Sequence, residues 1–346
     1  MTVKVGLDLG YANFTVSDVS AGIFREPSVA LVDQNSHQIL AVGSAASESG
    51  DWADDIPAAG AILVRPFKNG ILYSSDLTQE MIDHVMKVFR AGENKVRCFV
   101  GIPSDFVPKQ TAVLLSMVQK AGADEVYAVK RSMAALIGAG YSPTISAISV
   151  NVGASRTEIM TLCGGRILAA VSAPIGGEDF DKAVKKFVSE QGDFNISLSV
   201  ARAIKEKLGA VWEGKTSESL TIDGTLSLTG NKVRMTIATE DILDVFREPL
   251  AAFIGAVADV VKRIPSEDVD AVFHNGIILT GGGAELYGLD KMLSHVLGIR
   301  VTSPQAPIDS VAKGLSRIGT FLPSGLRSGR EITDRLAKYY EAKKQN

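Results

Sequence analysis

The chain is 346 residues long, 46% hydrophobic, 22% charged and 6% aromatic, with 33 glycines against 12 prolines. That length exceeds the usual size of one domain and points to two packed lobes, while the composition excludes disorder, collagen-like repeats and a disulfide-stapled miniprotein. A formal net charge of −3 leaves no cationic surplus for neutralising a phosphate backbone, so no direct nucleic-acid partner is expected.

The N-terminal residues Val3 to Leu9 read as a strand from the outset, followed by a second over Asn13 to Val19. Further strands are expected at Arg97–Ile102, Glu125–Val129, Ala147–Val152, Glu158–Cys163 and Gly276–Thr280. Helical periods separate them, the alternation of an α/β protein. Ser104 to Ala121 predicts a helix capped by Ser104 and ended by Gly122, with Val107, Val113, Leu114 and Val118 on its apolar face. Other helices are expected over Asp179–Glu190, Leu198–Leu208, Thr239–Arg263 and Leu289–Leu297. Between Leu220 and Ala238, Ile222-Asp-Gly-Thr225 and Thr229-Gly-Asn-Lys232 punctuate alternating runs and predict hairpins in a small antiparallel subdomain.

No apolar stretch reaches the roughly 18 residues that a membrane span needs, and nothing ahead of the first strand reads as an export signal, so the expectation is a cytoplasmic protein. Cys98 and Cys163, the only cysteines, sit in apolar runs with no metal-site spacing and are expected as reduced core residues. The four histidines, His37, His84, His274 and His295, are scattered and form no triad or metal pattern. In the segment Arg327 to Asn346, six basic and three acidic side chains accompany Ile332, Leu336, Tyr339 and Tyr340 on one helical face. A helix packed on its own lobe is the expectation there, ahead of an anionic surface or a partner helix.

The most informative feature is internal. Val5-Gly-Leu-Asp-Leu-Gly-Tyr-Ala-Asn-Phe-Thr-Val16 repeats in pattern as Ile148-Ser-Val-Asn-Val-Gly-Ala-Ser-Arg-Thr-Glu-Ile159, with Gly10 over Gly153 and Asp8 over Asn151, each 143 positions further on. Each copy reads as strand, tight glycine turn, strand. Two such turns facing one crevice could clamp a polyphosphate on outward backbone amides, whereas two ordinary hairpins would do no more than close a sheet.

These residues also carry a family signature. Gly6-Leu-Asp-Leu-Gly-Tyr-Ala-Asn13 resembles the first phosphate loop of the actin, DnaK and sugar-kinase superfamily, Asn151-Val-Gly-Ala-Ser-Arg-Thr-Glu158 its second, and Gly276-Ile-Ile-Leu-Thr-Gly-Gly-Gly283 its adenosine motif. Within it, the chain is most similar to bacterial actins of the MreB type, including their magnetosome relative MamK. Arg25-Glu-Pro-Ser-Val29, Arg65-Pro-Phe-Lys-Asn-Gly70, Met133-Ala-Ala-Leu-Ile-Gly138, Ile175-Gly-Gly-Glu-Asp-Phe-Asp181 and Ile204-Lys-Glu-Lys-Leu208 carry that closer likeness, which spans residues 3 to 320.

The resemblance implies an α/β actin-like (ribonuclease H-like) duplicated fold, two lobes around a nucleotide cleft, with self-assembly into filaments. Its four subdomains would take residues 1–30, 66–145 and 313–346 (IA), 31–65 (IB), 146–181 and 239–312 (IIA), and 182–238 (IIB). It implies ATP or ADP as ligand with Mg2+, whose water shell Asp8 would orient. Gly10, Tyr11, Ala12 and Asn13 would wrap the β-phosphate, and Gly153, Ala154 and Ser155 would face it. Gly176 and Gly177 belong to the same binding set, Lys205 and Glu206 would flank the adenosine, and Gly281, Gly282 and Gly283 would let the backbone approach it where a side chain would strike the ligand.

The pattern breaks at the chemistry. Where relatives place a glutamate that positions water, this chain has Arg131; where their second loop has an aspartate and a threonine, it has Asn151 and Arg156. An arginine cannot act as a base at neutral pH, and at an effective dielectric near 20 a unit charge about 4 Å from a phosphate is worth roughly 4 kcal/mol. Nucleotide binding with slow hydrolysis is therefore expected, together with partial replacement of the metal's charge. Both arginines could instead turn away into salt bridges. The expected partner is the chain itself, with co-polymerisation beside an active paralogue as an extension and membrane contact only through other proteins. Magnetosome or organelle alignment and cell shape are both open roles. A phosphotransferase or a chaperone-like ATPase is the alternative, disfavoured because no acidic base for a sugar hydroxyl and no substrate-binding domain after residue 330 can be placed.

Overall fold

A computed structural model describes residues 2–49, 60–68, 71–72, 74–89, 95–192, 194–226 and 229–345. Two large sheets share one plan. In the first, Thr2–Leu9 lies between Lys95–Ile102, its parallel neighbour, and Asn13–Asp18, its antiparallel one. Glu125–Lys130 and Arg330–Glu331 extend one side and Gly22–Pro27 the other. In the second, Ala147–Val152 lies between Ile277–Thr280, parallel, and Thr157–Cys163, antiparallel, with Val301–Thr302 and Arg166–Ala173 beyond them. Central strands buried on both faces need near-continuous apolar runs, and Val96, Cys98, Phe99, Val100 and Ile102 supply one.

The repeat seen in the sequence is a repeat of register. Leu9 pairs with Phe14 and Asp8 with Thr15; 143 positions on, Val152 pairs with Thr157 and Asn151 with Glu158. Two smaller antiparallel sheets stand apart from the large ones. One joins Ala30–Asp33 to Ile39–Val42 and Ala61–Val64, the other Ser219–Leu226 to Phe194–Asn195 and Lys232–Ala238.

One apolar core fills each lobe, and a third lies between the sheets. This third core joins Phe99 and Tyr127 of the first sheet to Met160, Leu162 and Ile278 of the second through the helices Arg131–Gly138 and Ser310–Phe321. The two helices touch backbone to backbone. A Cβ on Gly138 would lie 1.7 Å from the Ser310 carbonyl oxygen, and one on Gly314 1.7 Å from that of Ala134. The second helix is also fixed to the first sheet, where the buried Ser17 hydroxyl donates to the Ala312 carbonyl at 2.6 Å.

Several local expectations are corrected. The helix expected from Ser104 spans Pro108–Lys120. Proline at the first helical position needs no amide partner, and the Val107 N–H is met by Gln110 Oε1 at 3.1 Å, so Ser104 is not its cap. Val107 and Val113 are exposed, and the buried stripe is Thr111, Leu114, Leu115, Met117 and Val118, ended by Gly122 at φ 103°. The single helix over Thr239–Arg263 is two, Thr239–Ile242 and Arg247–Val261. Pro249 cannot donate to the carbonyl four residues back and its ring crowds that carbonyl, so the helix cannot run through Val245. Asp223-Gly224 is no turn: Gly224 pairs with Val233 inside a strand, where a Cβ would lie 2.3 Å from the Phe194 ring. The turn falls at Gly230, φ 68°.

The C-terminal segment packs on its own lobe as expected, with Ile332 and Leu336 buried and Tyr340 edge-on to Phe321. Cys98 is buried and Cys163 half-buried, both unpaired. Among the described residues no helix is long and apolar enough to cross a membrane. The last two residues of the Arg65-to-Gly70 motif lie outside the described residues.

A methyl group at the helix crossing has no room, so Gly314→Ala is expected to lower unfolding free energy by about 1–3 kcal/mol or more. Urea denaturation followed by circular dichroism measures this, and an unchanged midpoint would mean that the helices separate at no cost.

Candidate functional site

The repeated turns end their strands in the same way. The Gly10 N–H donates to the Asn13 carbonyl at 2.9 Å, and the Gly153 N–H to the Arg156 carbonyl at 2.8 Å. A Cβ would approach those carbonyl oxygens to 2.7 Å at Gly10 and 3.0 Å at Gly153, which is why glycine stands at both. The two turns face one cleft of about 560 Å³ between the lobes, a volume in the range of small-ligand sites. Gly10, Tyr11, Ala12 and Asn13 line it from one side, and Gly153, Ala154 and Ser155 from the other.

Gly176 and Gly177 serve the second turn from behind. The amides of Gly177 and Glu178, at the start of the helix Gly177–Glu190, donate to the carbonyls of Gly153 and Ala154 at 2.9 and 2.7 Å. A Cβ on Gly176 would lie 2.6 Å from the Ala154 carbonyl oxygen. The turn therefore rests on a helix N-terminus, and of the two glycines Gly177 lines the cleft. The glycine run also has a reason within the fold itself. At Gly281, φ 84°, and at Gly283 a Cβ would strike Val152 of the neighbouring strand at 2.4 and 2.3 Å, whereas at Gly282 it meets nothing closer than Ile308 at 3.5 Å. The chain's own strand already excludes side chains at the outer two.

The three substituted positions all reach the cleft, and each is partnered within the protein. Arg131, first residue of its helix, donates from Nε to Asp8 Oδ1 at 2.8 Å and from Nη2 to the Leu9 carbonyl. Asn151 Oδ1 accepts from the buried Thr280 hydroxyl at 3.3 Å. Arg156 forms a fork with Asp105, Nη2 to Oδ2 at 2.6 Å and Nη1 to Oδ1 at 3.3 Å, while its buried Nε has no acceptor among the described residues. Both arginines thus make salt bridges, but neither leaves the cleft.

Sequence reasoning assigned no role to several cleft residues. Glu158 is 2% exposed and ties the lobes together, its Oε2 accepting the Ser104 N–H at 2.9 Å and its Oε1 the Ser172 hydroxyl at 2.8 Å. Asp181, fully buried, holds Lys205 Nζ at 2.6 Å and Arg202 Nε at 3.1 Å. Lys205 also donates to the Gly177 carbonyl at 3.0 Å, so it braces two helices as well as lining the cleft beside Glu206. Tyr11 lies under the Arg65 guanidinium, 4.9 Å from its ring centroid. Burial and the neighbouring, hydrogen-bonded Glu178 push its phenol above the ordinary value, so it stays protonated at neutral pH.

A magnesium site of the implied kind does not fit these donors. Asp8 Oδ1 is engaged by Arg131, and its counterpart on the second turn is a neutral amide, so the carboxylate charge expected to orient the metal's water shell is already paired.

A sequence model of the MreB/Mbl protein family matches residues 2–322. Relatives include the cell shape-determining protein Mbl of Bacillus cereus, 29% identical over 316 residues, 90% of this chain and 93% of the relative. The cell shape-determining protein MreB of Escherichia coli is 29% identical over 321 residues, 90% of this chain and 91% of the relative. Among solved structures, MreB5 of Spiroplasma citri bound to ADP superposes with a TM-score of 0.85 at 20% identity, covering 92% of this chain and 97% of that one. The MamK double helical filament superposes at 0.79 with 22% identity, covering 93% and 100%. The two-lobed actin-like fold implied by the motifs is the fold found.

Glu285 also lines the cleft at its exposed rim, where partial desolvation, reinforced by Asp309 and Glu206 and opposed by Arg25, pushes its carboxyl above the usual range. A raised carboxyl value means that stability is lost as the pH climbs from the ordinary carboxylate value through the raised one, and the penalty is complete above it. Glu285→Gln is therefore expected to melt slightly higher than wild type at neutral pH, the effect being muted by solvent at this exposed position, with the gap closing on acidification through the carboxylate range. Equal melting temperatures at neutral pH would refute this.

Proposed function

Because this chain belongs to the MreB/Mbl family of bacterial actin-like cytoskeletal proteins, we propose that it is a nucleotide-gated filament subunit that binds ADP or ATP in the cleft and hydrolyses ATP slowly. The observation that carries this reading is the pair of register-matched glycine turns, Gly10 to Asn13 and Gly153 to Arg156, converging on one cleft. Turns of this kind present backbone amides to anions, and the second stands on a helix N-terminus, which favours negative charge. Solved structures of MreB5 contain ADP and AMPPNP, and MamK forms a double helical filament, which supports carrying ligand and assembly to this chain. In this reading the four subdomains are divided as the motifs imply, and Lys205, Glu206 and the backbone at Gly281 to Gly283 flank the nucleoside.

Slow turnover follows from what stands around the second turn. A water in line with the terminal phosphate needs an acceptor to orient it. Arg131 and Arg156 offer only donors, and the neutral Asn151 amide is a weaker acceptor than the aspartate expected there. Glu158 is the nearest carboxylate by sequence to that turn, and a bond to each of its oxygens from Ser104 and Ser172 fixes its orientation. Loss of one well-placed catalytic group costs about 100-fold or more in rate. Cell shape is the favoured role, since the relatives at 29% identity are cell shape-determining proteins; organelle alignment rests on the likeness to MamK, which is one of fold. The filament would lie in the cytoplasm and reach the inner membrane through partner proteins, with an active paralogue as a candidate co-polymer.

Sedimentation and negative-stain microscopy of the purified protein with ATP test assembly, and persistent monomers at high concentration would end the filament reading. Phosphate release measured on the same samples is expected to be about 100-fold below that of a family member with the usual glutamate. Equal rates would end the reading of impaired turnover.

A further inference from the structure

The contact between Arg131 and Asp8 places a fixed positive charge where the family resemblance calls for a hydrated dication. The guanidinium bridges two acceptors at the end of the first strand, the Asp8 carboxylate at 2.8 Å and the Leu9 carbonyl. Its side chain is 15% exposed and that of Asp8 21%, so the pair is largely shielded yet borders the cleft. The neighbouring strand accommodates it: a Cβ on Gly101 would press to 3.3 Å on both Arg131 Cγ and Asp8 Oδ1. A guanidinium stays charged throughout the accessible pH range and offers five N–H donors, of which Asp8 and Leu9 take two among the described residues.

A magnesium ion is usually held through one or two carboxylates, substrate phosphates and several retained waters. Here the first-turn carboxylate is already neutralised, and the second-turn position is the amide of Asn151, engaged with Thr280. A dication entering beside Asp8 would have to displace the guanidinium or bear its repulsion in a partly dry cleft, where charges act more strongly than in water. The Arg131–Asp8 pair is neutral overall, but the guanidinium keeps N–H donors unused by Asp8 and Leu9, and these can bond directly to the oxygens of a nucleotide that carries no metal.

Resting on the reading of the cleft as a nucleotide site, we infer that Arg131 takes the place of the divalent cation. The cleft accepts the metal-free adenosine polyphosphate, and Arg131 decides that preference. The test is titration calorimetry of the full chain with ADP and with ATP, in millimolar magnesium and in excess EDTA. Wild-type Kd is expected to differ by less than about threefold between the two conditions, or to be tighter in EDTA. Weakening by about tenfold or more in EDTA overturns the inference while leaving the nucleotide reading intact. Absence of binding in both conditions overturns the nucleotide reading and the inference with it. Arg131→Gln, its fold checked by circular dichroism, is expected to gain a magnesium dependence of about tenfold; a folded variant that binds equally well in both conditions removes Arg131 from the role. If that variant does not fold, the wild-type comparison alone decides.

Discussion

The crossing of two short helices at Gly138 and Gly314 sets the geometry on which everything else depends. Each glycine lies where a methyl group would overlap a carbonyl oxygen of the partner helix, so the backbones meet at a distance that no other residue permits. The helices belong to a core drawing Phe99 and Tyr127 from one sheet and Met160, Leu162 and Ile278 from the other. Close packing makes such a junction stiff, and it fixes how the two turns, each at the end of a central strand, look at one another across the cleft.

Much of this architecture was legible in the residues. The repeat between Val5–Val16 and Ile148–Ile159 announced two equivalent hairpins because register and turn chemistry leave a local trace: apolar alternation, a glycine, and apolar alternation again. Lengths of helix were less legible, since Pro249 acts through a carbonyl four residues back and Pro108 supplies a start that an upstream serine only imitates. Gly224 looked like a turn because nothing local reveals that Phe194 lies against it. The helix Ser310–Phe321, which carries half of the central crossing, was not among the elements read from periodicity.

The candidate site divides along the same line. Most residues singled out by the motifs line the cleft, but their partnerships were not readable, because they span long stretches of chain. Asp8 and Arg131 are 123 residues apart and Asp105 and Arg156 are 51 apart. The substitutions at Arg131 and Arg156 were evident as changes of charge; what the structure adds is that each cation already has a carboxylate. Glu158 stood in a quoted motif, yet only burial and its bonds to Ser104 and Ser172 identify it as a link between lobes. For Gly281 and Gly283 the structure adds a second reason for glycine that no local pattern reveals, since Val152 of the neighbouring strand lies where a Cβ would stand.

Asp105 and Arg156 sit on opposite jaws of the crevice, one on the loop after Lys95–Ile102, the other on the second turn. Asp105 keeps nearly half of its side chain in water, so dissolved ions reach this fork, whereas the carboxylate of the neighbouring Ser104–Glu158 bond is 2% exposed. Exposed charge pairs weaken as counter-ions accumulate. The jaws are therefore tied by a dry strut and a wet one, and the cell's electrolyte acts directly on the second.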